Sequence, residues 1–210
     1  MKPYNFFFAS PYFVIFSILS LSACTSTHNN SGIVLTAQSP EQRSTKLQQI
    51  EQWQIKGKIA FIEKNKRNSA TVNWQVNEKN NSQYLNLTSY LGINVLQLTT
   101  LQGNHSLIFD GKTYNDNNLK ELIFSLTGLT LPTQALNYWL KGLPFESTDE
   151  VFYDSSHLPL SLDSSYNGEH WQVSFADYEQ IDQVMLAKKI TVTKDNLLIK
   201  IAINEWNIIE

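Results

Sequence analysis

One cysteine, Cys24, is all the thiol this 210-residue chain holds. An internal disulfide is excluded because it has no second half, and a thiolate metal centre is excluded because several soft ligands must converge. Histidine is scarce too. His28, His105, His157 and His170 fall in separate segments with no H-x-x-x-H or Cys/His grouping, so no metal is expected. The chain has no G-x-S-x-G elbow, no P-loop and no dinucleotide glycine pattern. Its carboxylates offer only loop neighbours such as Asp149 and Glu150, or Glu63 near a turn, which read as solvated charge rather than an acid and base pair. Neither catalysis nor a cofactor is expected.

Positive charge is also thin. The formal net charge is −3, and no basic cluster exceeds Lys64, Lys66 and Arg67, which read as a solvated hairpin turn. Nucleic acid is therefore not an expected partner. An acidic body gives no electrostatic reason to bind anionic lipid, so membrane contact is expected to be covalent or apolar.

What is present begins with MKPYNFFFASPYFVIFSILSLSA, which carries one cation, Lys2, and no acid. The apolar part, Phe6 to Leu21, contains Pro11 and interior serines, and at about 16 residues it is shorter than the ~20 of a spanning helix. It reads as a secretory leader over residues 1–23. Leu21, Ser22, Ala23 and Cys24 resemble the bacterial lipobox, which implies cleavage before Cys24 and acylation of that residue. Thr25 rather than Asp follows, a feature that in Gram-negative lipoproteins resembles the signal for export to the outer membrane.

Residues 24–38 are mostly small and polar and read as a flexible tether. One domain is expected over 39–210. Ser39, Pro40, Glu41 and Gln42 announce a helix start, with Leu47 and Ile50 on its apolar edge. From Trp53 the period becomes two. Trp53, Ile55, Gly57, Ile59 and Phe61 share one strand face, and Ala70, Val72, Trp74 and Val76 another. QYLNLT, LGINVLQLTT, HSLIF and KTY continue a meander of short antiparallel strands that should curl into a barrel or bent sheet.

Two short helices interrupt it. Leu119, Leu122, Ile123 and Leu126 are spaced for one, with Asp116 or Asn117 as cap and Gly128 as terminator. Leu136, Trp139 and Leu140 mark the second, which starts near Pro132 and Thr133 and ends at Gly142. Strands resume with HWQVSFADY, KKITVT and LLIKIAINEW.

The order of these features is the signal: the W-x-x-x-G-x-x-A-F strand from Trp53 to Phe61, the Trp74 strand, TSYLGIN in a turn, then ELIFSLTGLTLP and YWLKGLP. Together they resemble the LolB family of outer-membrane lipoprotein receptors. One departure stands at the turn, where the family usually places Pro before Leu-Gly and this chain has Tyr90.

The resemblance implies an incomplete antiparallel β-barrel covered by short α-helices, with an apolar cavity between them. It implies a lipid-anchored protein facing the periplasm that accepts lipoproteins from a LolA-like carrier and inserts them into the outer membrane. Its expected partners are that carrier, lipoprotein acyl chains and outer-membrane lipid, and the protein is expected to be a monomer. It also implies that Tyr90, Leu91 and Gly92 form a membrane-insertion loop, with Leu91 as a protruding apolar tip. Trp74, Leu85, Leu87, Ile123, Leu126 and Trp139 are candidates to line the acyl-chain cavity, although each also fits an ordinary core. A second reading from another class is an anchored barrel that binds some other amphiphile or scaffolds envelope partners.

Overall fold

Ser39 opens the first helix, α1 (Pro40–Gln48), with a reciprocal capping box: its Oγ accepts from Gln42 N at 3.3 Å, and Gln42 Oε1 accepts from Ser39 N at 3.2 Å. The computed structural model describes residues 38–209, apart from 65, 129 and 130. The leader, Cys24 and the rest of the tether lie outside the described residues.

Six strands follow α1 as a continuous meander, namely β1 (Gln52–Glu63), β2 (Lys66–Asn77), β3 (Ser82–Thr88), β4 (Asn94–Leu101), β5 (Asn104–Phe109) and β6 (Lys112–Asp116). After the helices α2 (Leu119–Thr127) and α3 (Thr133–Trp139), the meander resumes. It comprises β7 (Glu150–Tyr153), β8 (Pro159–Ser164), β9 (Trp171–Ile181), β10 (Val184–Lys194) and β11 (Leu197–Ile208). The last strand pairs with the first. One 11-stranded antiparallel sheet results, in the order β6-β5-β4-β3-β2-β1-β11-β10-β9-β8-β7. β6 and β7 are its open edges, and the chain between them carries α2 and α3. The expected class, an incomplete antiparallel barrel with short helices, is this open sheet.

The period-two pattern explains the register. Trp53, Ile55, Gly57 and Ile59 are buried on β1 while Lys56 and Lys58 are exposed. β1 meets β11 with one irregularity: Lys56 faces Glu205 and Gly57 faces Ile203, so Asn204 is an extra residue. Gly57 permits that approach, because a Cβ there would collide with the carbonyl of Ala202. One hydrophobic cluster draws buried residues from β1 to β5, from β8 to β11 and from all three helices, so the two arms of the sheet wrap around a common core.

Three details differ from the sequence reading. Asn118 rather than Asp116 or Asn117 caps α2: its side-chain oxygen accepts from Glu121 N at 3.3 Å, while Asp116 Oδ1 accepts from Asn118 N at 2.8 Å one step earlier. β7 and β8 are additional strands. They carry no clean alternation, since β7 is four residues at a sheet edge and β8 begins at a proline. Asp149 is not a solvated loop charge. Its Oδ2 accepts from Phe145 N at 2.8 Å, Glu146 N at 3.2 Å and Trp139 Nε1 at 3.2 Å, tying the loop after α3 to that helix.

Candidate functional site

The β3–β4 hairpin ends in a three-residue loop, Tyr90, Leu91 and Gly92. Ser89 organises it. Its carbonyl accepts from Gly92 N at 2.9 Å, its N–H donates to the carbonyl of Ile93 at 2.8 Å, and its Oγ accepts from Ile93 N at 3.2 Å. Gly92 takes a φ of +78°, the left-handed position that such a loop needs after its first two residues. This ring of bonds fixes the turn with Tyr90 as its first residue. Tyr90 is 98% exposed and Leu91 79%, and Ile93 and Val95 extend the exposed apolar surface down the hairpin. Val95 lies where the pairing with β3 shifts, since Leu87 faces Leu96 but Thr88 faces Asn94. The sequence pattern located the tip through the break in period two. It did not single out Ile93 and Val95, although alternation back from buried Leu96 and Leu98 places both on the outward face; the register shift adds Asn94 to that exposed segment.

The six candidate cavity residues lie on one continuous apolar surface. Trp74 faces Leu85 across β2 and β3, and Leu87 stands one core position along, opposite Val72. Ile123 of α2 and Trp139 of α3 are buried, Leu126 is half-buried, and all six belong to or pack against the common core. That surface is packed. Trp139 is fully buried, with ring centroids 6.0 Å from Trp171 and 6.1 Å from Tyr166, and Trp74 lies 5.7 Å from Trp53. A cavity of about 370 Å³ opens beside α2, lined by His105, Asn118, Leu131, Thr133, Gln134 and Tyr166 among others, and by none of the six.

A polar chain crosses the inner face at one end of the strands. Trp74 Nε1 donates to Gln83 Oε1 at 3.2 Å, Gln83 Nε2 donates to Thr100 Oγ1 at 3.3 Å, and Thr100 Oγ1 lies 2.8 Å from His105 Nδ1. An indole N–H only donates, which fixes the direction of the first two links and leaves the Thr100 hydroxyl free to donate a hydrogen bond to Nδ1 of a neutral His105. Burial pushes the pKa of His105 down, against a smaller upward pull from Asp116.

The YWLKGLP segment locks the helices to the sheet. Lys141 is 2% exposed, and its Nζ donates to Glu78 Oε1 at 2.9 Å and to the carbonyl of Ile50 at 3.1 Å. Arg43 of α1 is buried beside it. Its Nη2 donates to the carbonyls of Lys141 at 3.0 Å and Met185 at 3.1 Å, and its Nη1 lies 3.5 Å from that of Gly142. Desolvation lowers the pKa of Arg43, and no carboxylate pairs with it among the described residues. Sequence reasoning missed both cations, although Arg43 stands four residues before Leu47 and so shares the apolar edge of α1.

The family model for the outer membrane lipoprotein LolB matches residues 51–206, the span that contains the sheet, the tip and the YWLKGLP lock. This chain belongs to the LolB family. It is 35% identical over 193 residues to the outer-membrane lipoprotein LolB of Aeromonas salmonicida, covering 91% of this chain and 93% of that relative. It is 35% identical over 155 residues to that of Pseudoalteromonas translucida, covering 73% and 75% of the two chains. Among solved structures, a LolA superfamily protein from Nitrosomonas europaea shares the fold at a TM-score of 0.53 and 7% identity, covering 82% of this chain and 94% of that one. A DUF1329 family protein from Desulfovibrio piger does so at a TM-score of 0.53 and 8% identity, covering 80% and 91%. Membership of the LolB family places the chain among outer-membrane lipoproteins.

Proposed function

We propose that this chain accepts lipoproteins from a LolA-like periplasmic carrier and releases them into the outer membrane, to which it is itself anchored through acylated Cys24. The observation that carries the reading is the tip. An apolar pair, Tyr90 and Leu91, is held almost fully in water by a hydrogen-bonded loop, an arrangement with no folding benefit that suits entry into lipid. Each acyl CH₂ exposed to water costs about 0.8 kcal/mol, so a lipoprotein in transit needs an apolar shelter throughout. The surface running from Trp74, Leu85 and Leu87 to Ile123, Leu126 and Trp139 offers that shelter once α2, which rests on β5 and β6, moves away. No nucleotide is needed if each station binds the acyl chains more tightly than the last.

The packed interior favours a second reading, an anchored barrel that binds another amphiphile or scaffolds envelope partners. Mixing the protein with a carrier loaded with radiolabelled lipoprotein decides between them. Cargo that moves from carrier to this chain supports receptor function, and cargo that stays on the carrier at equilibrium refutes it.

A further inference from the structure

The whole-chain charge of −3 argues against contact with anionic lipid, yet the topology concentrates cations where the apolar tip lies. In a meander, the β1–β2 and β3–β4 turns fall at the same end of the sheet. The tip leaves the sheet from the row Ala202, Lys58, Thr71 and Thr88, which crosses β11, β1, β2 and β3. Beyond that row β1 and β2 continue without β3. The next row outward on the same face contains Lys200, Ala60 and Ser69, and the one after it Leu198, Ile62 and Arg67, before the turn that carries Lys64 and leads into Lys66.

Lys58, Lys64, Lys66, Arg67 and Lys200 are all exposed, and none forms an ion pair among the described residues. Arg67 makes a long contact from Nε to Ser69 Oγ, at 3.4 Å. Glu63 is the carboxylate of this hairpin; in the neighbouring turn Lys194 pairs with Glu169 at 2.6 Å, which leaves Asp195 as an exposed carboxylate without an ion pair among the described residues. Cations elsewhere on β1 and on β10 are paired: Lys56 with Glu205 at 3.0 Å, Lys189 with Asp177 at 3.0 Å and half-buried Lys188 with Glu179 at 3.1 Å. The five cations near the tip thus lack such partners among the described residues.

The distances match. Arg67 lies four residues past Thr71, about 14 Å along the strand, and Leu91 lies three residues past Thr88, about 10 Å at full extension. A flat surface touched by Leu91 is therefore within reach of the basic hairpin.

We propose that Lys58, Lys64, Lys66, Arg67 and Lys200 form a headgroup-binding apron that engages the phosphates of an anionic bilayer and orients the protein so that Leu91 enters it. The proposal rests on the delivery reading for its purpose but not for its measurement. Each cation near an anionic surface contributes about a fivefold preference, which falls as salt shortens the range of the interaction. Phosphate is the matching chemistry and a membrane the matching source, because an apolar wedge beside the cations has no use in binding free phosphate.

The test uses the membrane-extracted, full protein reconstituted into vesicles of phosphatidylcholine, with or without phosphatidylglycerol. Amide hydrogen exchange is followed over residues 62–68 and 88–94. We expect phosphatidylglycerol to slow exchange at 62–68 by about threefold or more at low ionic strength, with the effect lost at high salt. The triple variant Lys64→Glu, Lys66→Glu, Arg67→Glu should fold normally, since no buried contact is removed, and show no lipid dependence. Equal exchange in both vesicle types, or slowing that survives the triple reversal, overturns the proposal. Leu91→Glu separates the two readings. If the apron acts, its lipid-dependent slowing at 62–68 persists in that variant, and it persists in the parent protein even if cargo stays on the carrier and the delivery reading fails; loss of the slowing in Leu91→Glu would assign the contact to the tip alone and overturn the apron.

Discussion

Arg43 Nη2 donates to the carbonyl of Lys141 at 3.0 Å, and the same guanidinium lies beside Gly142, where an added Cβ would stand 3.3 Å from Nη2 and 3.1 Å from Pro159 Cγ. Gly142 has a φ of +69°, so the turn after α3 presents its carbonyls to α1 only while that residue is glycine. Arg43→Ala removes the donors for the Lys141 and Met185 carbonyls and leaves a void. It should cost about 2–4 kcal/mol, read as a lowered midpoint in urea unfolding. Arg43→Lys should recover part of that loss, and Gly142→Ala should also destabilise. An unchanged midpoint for Arg43→Ala would show that water replaces the guanidinium without penalty.

Trp139 anchors α3 from the other side, with its ring against Trp171 and Tyr166 and its Nε1 on Asp149. Trp139→Ala should cost about 3–5 kcal/mol if the indole fills the core throughout the functional cycle. A much smaller loss of stability, together with altered acyl-chain binding, would show that the indole faces a space which lipid fills. Thermal melting beside a transfer assay distinguishes the two.

Much of this architecture was legible because it is written in short-range patterns. The alternation on β1 and β2, the Ser39 capping box, Gly128 ending α2 with a φ of +70° and the Tyr90–Gly92 turn each follow from neighbouring residues. The features that stayed hidden depend on partners far apart in the chain. Lys141 is buried because Glu78 and the Ile50 carbonyl meet it, and both stand more than 60 residues away in the chain. Lys58 and Lys200 belong to one surface only because β11 returns beside β1. β7 was missed because an edge strand of four residues needs no alternation.

The polar chain ending at His105 gives the fold an acid-sensitive element. Burial holds the folded-state pKa of His105 below its ordinary value, so as pH falls through about 6.5 the unfolded chain takes up a proton before the folded one. The associated stability is present above that pH and declines below it, until the folded form also protonates. Protonation would place a donor on Nδ1, against the hydroxyl of Thr100. His105→Asn should therefore flatten the dependence of the urea midpoint between about pH 7.5 and 5 relative to the parent chain. Parallel profiles for the two would remove His105 from the acid response.

Cys24, outside the described residues, is expected to be the first residue of the processed chain and to bear lipid on its sulfur and amino group. Cys24→Ala should give a form that is released into the periplasm or left unprocessed. Mass spectrometry of membrane-extracted protein tests this directly, and an unmodified Cys24 in the mature protein would refute the assignment.

Leu91 gives the sharpest separation of folding from function. Its side chain is 79% exposed and the turn beneath it is held by Ser89, so Leu91→Glu removes no buried group and should shift stability by no more than about 0.5 kcal/mol. Acceptance of cargo should also persist, because the apolar surface from Trp74 to Trp139 is untouched. Entry into lipid should not. Placing a carboxylate where Leu91 would meet hydrocarbon replaces a favourable transfer with the cost of desolvating a charge, and the neighbouring Tyr90 and Ile93 cannot offset it. The expected result is a protein that takes lipoprotein from the carrier at the parent rate and retains it, with delivery into liposomes reduced at least tenfold, a barrier increase of about 1.4 kcal/mol. Normal delivery by Leu91→Glu would count decisively against the tip as the membrane-entry element. Joint loss of acceptance and delivery would instead assign the hairpin to carrier contact, since the substitution leaves the fold intact.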